Sequence, residues 1–282
     1  MTQSRIDTAT DDVVVVTGIG GIALACARRL SRGRQLVLAS YHQGRLAEAA
    51  DLLRSEGYAV HDVVTDVSDP DDVAGLAKRA ADLGRLAAVV HTAGVSPVQA
   101  PLDRIITVDV LGTAYVLDAF LEYAVAGTVV VCISSNAAAM ATLPPELERA
   151  LALTSTSELA GLPVFTSGSL ESGPAYAIAK RANQLRAQVA SVPYGRRGAR
   201  VVSLSPGVVC TRMGRAEMDG PSGDRMKALI AASGTGRVGT SDDIAGVVEF
   251  VTTPAASFIT GTDLLVDGGA IAAARMPLPT GQ

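Results

Sequence analysis

The chain has 282 residues, of which 48 % are hydrophobic and 18 % charged, and a net charge of −4. That length holds one large α/β domain or two small ones. With aromatics at 4 % and no Trp, the core must be built from Ala, Val, Leu and Ile, and the lack of a basic stripe excludes nucleic acid as a partner.

In chain order, residues 1–12 are polar and acidic and lack the charged-then-apolar layout of a signal peptide. Val13 to Val16 form a β-branched run that predicts a buried parallel strand, ending at Thr17-Gly18. A helix over 22–30 follows, which Gly33 can end. Strands are predicted at 36–39 and 59–64, with a helix over 45–55 between them. Ser68-Asp69-Pro70-Asp71-Asp72 is a helix start, with a capping side chain, Pro in the first turn and acids at the positive end. Further strands are expected at 86–91 and 128–133, with the intervening 101–123 mostly helical. The uncharged run 123–145 is long enough to suggest a membrane span, but its Gly, Ser, Asn and Pro-Pro content favours a buried strand and loop.

Residues 137–172 interrupt the rhythm. Pro144-Pro145-Glu146 opens a predicted helix running to about Ala160, broken by Gly161-Leu162-Pro163. A helix over 174–192, a strand at 200–204, a helix over 242–251 and a last strand at 264–266 complete the pattern. Strands and helices alternate throughout. The expected fold is therefore a single Rossmann-type, doubly wound parallel sheet of about seven strands with helices on both faces, in one domain spanning 1–282. Cys26, Cys132 and Cys210 are odd in number, far apart and without metal-ligand spacing, so no metal is expected, and reduced thiols in a cytoplasmic protein are.

Two clusters carry chemistry. Gly18-Ile19-Gly20-Gly21-Ile22-Ala23 joins a strand to a helix, a place where glycines let the backbone approach a pyrophosphate and the helix N-terminus supplies free N–H groups. Asp66, after the third strand, can accept from an adenine amino group or serve as an anion at a helix N-terminus. After the second strand come Ser40 and Tyr41, where an NAD site usually has a carboxylate. Its absence, with His42 and Arg45 nearby, leans to NADP over NAD. The second cluster is Tyr176 and Lys180, four apart on one helix face. A Lys cation beside a phenol lowers its pKa from about 10 and suits the Tyr for proton transfer to an alcohol or carbonyl.

From Val13 to Gly269 the chain resembles the short-chain dehydrogenase/reductase family. The resemblance rests on the Thr17-Gly18 turn, Asp66-Val67, His91-Thr92-Ala93-Gly94, Ile133-Ser134-Ser135, Tyr176-x-x-x-Lys180, Pro206-Gly207-Val208-Val209-Cys210-Thr211, Ile259-Thr260-Gly261 and Val266-Asp267-Gly268-Gly269. It implies that Tyr176 is the general acid/base, that Lys180 tunes it and binds the nicotinamide ribose, and that Ser135 hydrogen-bonds the substrate oxygen. It implies a cofactor surface formed by Gly18, Gly20, Gly21, Ile22, Ser40, Tyr41, Asp66, Val67, Ala93, Gly94, Pro206 and Gly207 besides the catalytic pair. Backbone at Val209 and the Thr211 hydroxyl would hold the carboxamide. The implied reaction is hydride transfer between NADP or NAD and a secondary alcohol or carbonyl.

The long separation of Ser135 from Tyr176, Pro254-Ala255-Ala256-Ser257 and the Met/Pro tail are similar to the bacterial 3α-hydroxysteroid dehydrogenase/carbonyl reductase subgroup. There the insertion is thought to obstruct the tetramer helix interface, which here leans a homo-oligomer, dimer or tetramer, towards the dimer. The sequence departs from the family in three places. The first turn is one residue short. Asp109 stands where an Asn usually feeds a proton relay to the Lys, and its charge could hold Lys180 more tightly and weaken that residue's effect on Tyr176. His91 replaces an Asn and reads as a satisfied strand-end residue. The 212–236 stretch, with Met213, Met218, Met226, Leu229 and Ile230, reads as a substrate lid over an apolar pocket suited to a steroid, a terpenoid or another hydrophobic carbonyl. Two other functions fit the departures: a nucleotide-sensing binding protein with little turnover, and a non-redox lyase or epimerase.

Overall fold

The computed structural model describes residues 11–276. The polar start before Asp11 and the tail prolines Pro277 and Pro279 lie outside those residues. Seven strands form one parallel sheet in the order β3-β2-β1-β4-β5-β6-β7. They are β1 (Asp12–Thr17), β2 (Gln35–Ser40), β3 (Ala59–Val64), β4 (Arg85–His91), β5 (Val129–Ile133), β6 (Arg200–Pro206) and β7 (Asp263–Val266). All seven stand where the sequence predicts strands.

Both faces of the sheet are covered, which is why the central strands read as unbroken Val runs instead of alternating. Val14 and Val16 point to one side, against α1 (Gly21–Leu30), α2 (Gln43–Ser55) and α11 (Ser241–Val251). Val13 and Val15 point to the other, against α3 (Pro70–Leu83), α5 (Gly112–Tyr123) and α8 (Ser172–Gly195). Small side chains such as Ala23, Ala27, Ala77 and Ala80 let the helices sit close, in keeping with a core poor in aromatics.

The span before α5 begins with α4 (Leu102–Arg104) and continues as a wider π turn, Ile105–Leu111, which contains the fully buried Asp109. The 137–172 segment differs from its expectation. A 3₁₀ turn, Asn136–Met140, comes first. Then α6 (Pro145–Leu153) stops at Thr154, well short of Ala160. Ser155, Thr156 and Ser157 follow Thr154, and such hydroxyl side chains compete for backbone hydrogen bonds and favour turns over helix. A 3₁₀ turn at Leu159–Gly161 and α7 (Pro163–Thr166) complete the segment.

This segment is fastened to α8. The Arg186 guanidinium donates to the carbonyls of Leu151 and Thr154, Arg181 pairs with Glu148 at 2.7 Å, and Leu151, Leu159 and Phe165 join a third core with Ile178, Ala182 and Leu185. Helix α8 continues three residues beyond the expected Val192, through Pro193. Beyond β6 come α9 (Arg212–Met218) and α10 (Gly223–Ala232), and a helix with no sequence expectation, α12 (Ala270–Arg275), closes the described chain. No helix among the described residues is long and apolar enough to cross a membrane.

Candidate active site

In this strand order the chain leaves β1 for β2 on one side and reaches β4 on the other. The loops at the carboxyl ends of β1 and β4 therefore part and leave a crevice. A cavity of roughly 790 Å³ opens there. The β1–α1 turn forms one wall. Gly18 has φ +91°, and a Cβ on it would meet Thr92 Oγ1 at 2.7 Å, so only glycine fits. Gly20 faces open space, no side chain caps α1, and no acid occupies its first turn. The free N–H groups and positive end of α1 thus face the cavity, a cradle suited to a pyrophosphate.

Past the β1–α1 turn the wall continues with Ser40, Tyr41, His42 and Arg45 after β2, then Asp66 and Val67 after β3. The Ser40 hydroxyl accepts from the His42 N–H at 3.4 Å, so its own proton is free for another acceptor. Between the two readings of Asp66, the helix cap goes elsewhere: Asp69 accepts from the N–H groups of Asp71 and Asp72 and opens α3. Asp66 lies in the cavity wall, holding Ser68 N–H and Oγ on Oδ1. Burial pushes its carboxyl up, but hydrogen bonds from Ser68 and the nearby Arg104 outweigh this and hold it below the usual range.

The floor is set by a polar chain. His91 is buried, with Nδ1 2.8 Å from Thr17 Oγ1 and Nε2 3.2 Å from Thr113 Oγ1. Thr113 donates to the Asp109 carbonyl, so its oxygen accepts from His91 Nε2–H, and Nδ1 accepts from Thr17. The Ala93 N–H closes the chain on Thr17 Oγ1. Burial pushes the His91 pKa down to about 3, with the Lys180 charge adding to it, so the ring is neutral. This arrangement fixes Ala93-Gly94 at the cavity edge and makes His91 structural, as its position at the strand end predicts.

Ser135, Tyr176 and Lys180 meet in the same cavity although the 137–172 segment lies between the first two. Ser135 Oγ accepts from Ala137 N–H, and a hydrogen bond links Ser135 to the Tyr176 phenol. Lys180 Nζ sits 5.5 Å from the Tyr176 ring centroid and 3.6 Å from Asp109 Oδ1. Asp109 does not reach the cavity. It lies behind Lys180, with Oδ1 accepting from Val95 N–H at 3.0 Å and Oδ2 buried without a partner. Burial raises its pKa, and Lys180 opposes the rise.

The tuning of Tyr176 differs from expectation. Burial raises the phenol well above its usual pKa, and the Glu217 and Asp109 carboxylates raise it further; the hydrogen bond with Ser135 only partly offsets them. Lys180, paired with Asp109 behind it, does not offset the rise.

Beyond Ser135, Tyr176 and Lys180, Pro206, Gly207, Val208, Val209 and Thr211 line the wall. Thr211 Oγ1 accepts from Gly214 N–H and caps α9, which leaves its proton free. Of the five apolar residues expected in the lid, Met213 and Met226 reach the cavity, whereas Met218, Leu229 and Ile230 do not line it. Glu217 on α9, Arg104 and Gln99 do, and the sequence reading missed all three. Each was one more polar residue on a helix or loop, and nothing in its spacing says which side faces inward. Among the described residues no group of acidic, His and Cys side chains could hold a metal.

Comparison with known proteins agrees with this geometry. The profile described as short chain dehydrogenase matches residues 12–143, and that described as Enoyl-(Acyl carrier protein) reductase matches 157–270. The short-chain dehydrogenase/reductase bsc3 of Alternaria brassicicola is 35 % identical over 265 residues, covering 93 % of this chain and 97 % of its own. D-threitol dehydrogenase of Mycolicibacterium smegmatis is 31 % identical, covering 91 % and 92 %. The structure of a short-chain type dehydrogenase/reductase from Mycobacterium ulcerans superposes with a TM-score of 0.74 at 25 % identity, over 95 % of each chain. With near-complete coverage by dehydrogenases, and with a glycine-framed crevice that brings Ser135, Tyr176 and Lys180 together, the chain belongs to the short-chain dehydrogenase/reductase family of oxidoreductases.

Proposed function

We propose that the protein interconverts a secondary alcohol and a ketone on a largely apolar skeleton, with Tyr176 moving the proton. The observation that carries this is the convergence of Ser135, Tyr176 and Lys180 in the cavity that the α1 cradle opens into. A bound nicotinamide dinucleotide supplies the hydride donor or acceptor. Gly18, Gly20, Gly21 and Ile22 would hold its pyrophosphate, Asp66 and Val67 its adenine, and Ala93, Gly94 and Lys180 its ribose. Val209 and Thr211 would take the carboxamide. In reduction, Tyr176 O–H donates to the carbonyl oxygen while the Ser135 hydroxyl steadies it. In oxidation the same two groups act in reverse.

Met213, Met226, Val95 and Ile133 supply the apolar wall, which supports a hydrophobic substrate such as a steroid or terpenoid. The test is consumption of NADPH or NADH against a panel of cyclic and acyclic ketones. Turnover of at least one class is expected. Cofactor binding without oxidation across the panel would overturn the proposal, and product formed with no net nicotinamide change would mark a lyase or epimerase. The dehydrogenase relatives do not favour the sensing alternative.

NADP is the proposed preference. Arg45 is exposed at the cavity rim and forms no ion pair among the described residues, and no carboxylate follows β2 to repel a 2′-phosphate. Arg45→Ala is expected to raise the KM for NADPH about tenfold, the scale of a charge-assisted hydrogen bond, with the KM for NADH unchanged. Equal effects on both cofactors would remove the assignment.

The 137–172 segment covers much of α8, and Phe250, Phe258 and Leu265 are exposed. These features support a homodimer, towards which the resemblance to the hydroxysteroid dehydrogenase/carbonyl reductase subgroup also leans. The free thiols of Cys26, Cys132 and Cys210 fit a cytoplasmic setting.

A further inference from the structure

Glu217 is the acid nearest the chemistry that the family resemblance does not explain. Its position is built. Thr211 caps α9, and Gly214 lies so close to Val209 that a Cβ there would stand 2.1 Å from the Val209 carbonyl oxygen. Three residues further on, Glu217 shares the face that Gly214 presses inward, and it enters the cavity beside Tyr176.

The carboxylate is poorly satisfied there. Its hydrogen-bond partner is the hydroxyl of Ser96, which is fully buried and also lies 3.3 Å from Gln99 Oε1. A hydroxyl has one proton, so the two acceptors compete for it. No Lys, Arg or His comes within 4.0 Å of Glu217 among the described residues. Burial accordingly raises the Glu217 pKa, and Lys180 only partly opposes this. A carboxylate here also hinders the phenolate of Tyr176, a cost that an apolar lid residue would not impose.

We propose that Glu217 is a substrate-recognition residue: it accepts a hydrogen bond from a hydroxyl or ammonium group that the substrate carries beside its reacting carbinol. This rests on the function proposed above and narrows it to an apolar skeleton bearing a second donor. A site built to accept from a substrate donor disfavours the analogue that lacks it, because that analogue shuts solvent off the half-buried acceptor without pairing it.

The test is oxidation of cyclohexanol, trans-1,2-cyclohexanediol and 2-aminocyclohexanol by the wild type, Glu217→Gln and Glu217→Ala, with nucleotide Kd measured in parallel. For the wild type, kcat/KM for the diol and the amino alcohol should exceed that for cyclohexanol by about 10- to 100-fold. Glu217→Ala should erase both advantages. Glu217→Gln should keep part of the diol advantage and lose that of the amino alcohol. Turnover with unchanged ratios in Glu217→Ala, or an effect confined to nucleotide Kd, overturns the role of Glu217 alone. No oxidation of any of the three by the wild type overturns the proposed function with it.

Discussion

Tyr176→Phe is expected to lower kcat in both directions by about 10²- to 10⁴-fold, the range of a general acid or base, with nucleotide Kd and Tm near wild type. The ring remains to face Lys180 Nζ, so the cation–ring contact survives and only the proton-carrying oxygen is removed. The wild-type pH profile carries a second signature. Burial, then Glu217 and Asp109, raise the phenol above its ordinary range, so at neutral pH Tyr176 carries its proton. Ketone reduction uses that protonated form and should be level through neutral pH. Alcohol oxidation uses the phenolate and should climb as pH rises towards the alkaline range. Tyr176→Phe should abolish the climb as well as the rate. Equal turnover by the two proteins, or a climb that persists in Tyr176→Phe, would take the proton from Tyr176.

What could be read from sequence divides along physical lines. The seven strands were legible because most are short apolar runs, and burial on both faces of the central ones demands that composition whatever the loops do. Parts of the cavity rim and its supporting helices were legible because backbone geometry restricts them: Gly18 admits no Cβ, and Asp69 with Pro70 can hardly be anything but a helix start. The end of α6 was not legible, because propensity alone does not say whether Ser155 and Thr156 extend a helix or cap a turn. Nor was Glu217, since its inward aim depends on how Gly214 seats α9 against Val209. The tuning of Tyr176 was legible in part: spacing within α8 places Lys180 beside it and the Asp at 109 announces a competing charge, but the burial that raises the phenol depends on how separate elements pack. Asp109 arrives from one of them and, 3.6 Å from Nζ, makes its claim on Lys180.

That claim makes Lys180 the position where stability and activity are expected to part. Lys180 and Asp109 are both buried, with Nζ 3.6 Å from Oδ1, and Oδ2 has no partner at all. Removing one member of a buried pair strands the other, so Lys180→Met is expected to cost about 3 kcal/mol near neutral pH. For a chain of this size that is a fall in Tm of about 6 to 12 °C. The sign of its pH dependence follows from Asp109. Burial already raises that carboxyl, and losing Lys180 removes what holds it down. Above its unfolded pKa, the native Asp109 then binds a proton that the unfolded chain has released. Stability of Lys180→Met must therefore fall as pH rises from the unfolded value through the raised native one, and the deficit shrinks in acid. Adding Asp109→Asn removes the titrating group while its amide oxygen can still accept from Val95 N–H. The double variant should regain most of the Tm and lose this pH dependence. Its turnover should stay low, because the cation beside Tyr176 is still missing. Thermal melts of the three proteins across pH, read beside NADPH turnover, separate the two roles. If the double variant melts no higher than Lys180→Met, the pair does not hold the site as described.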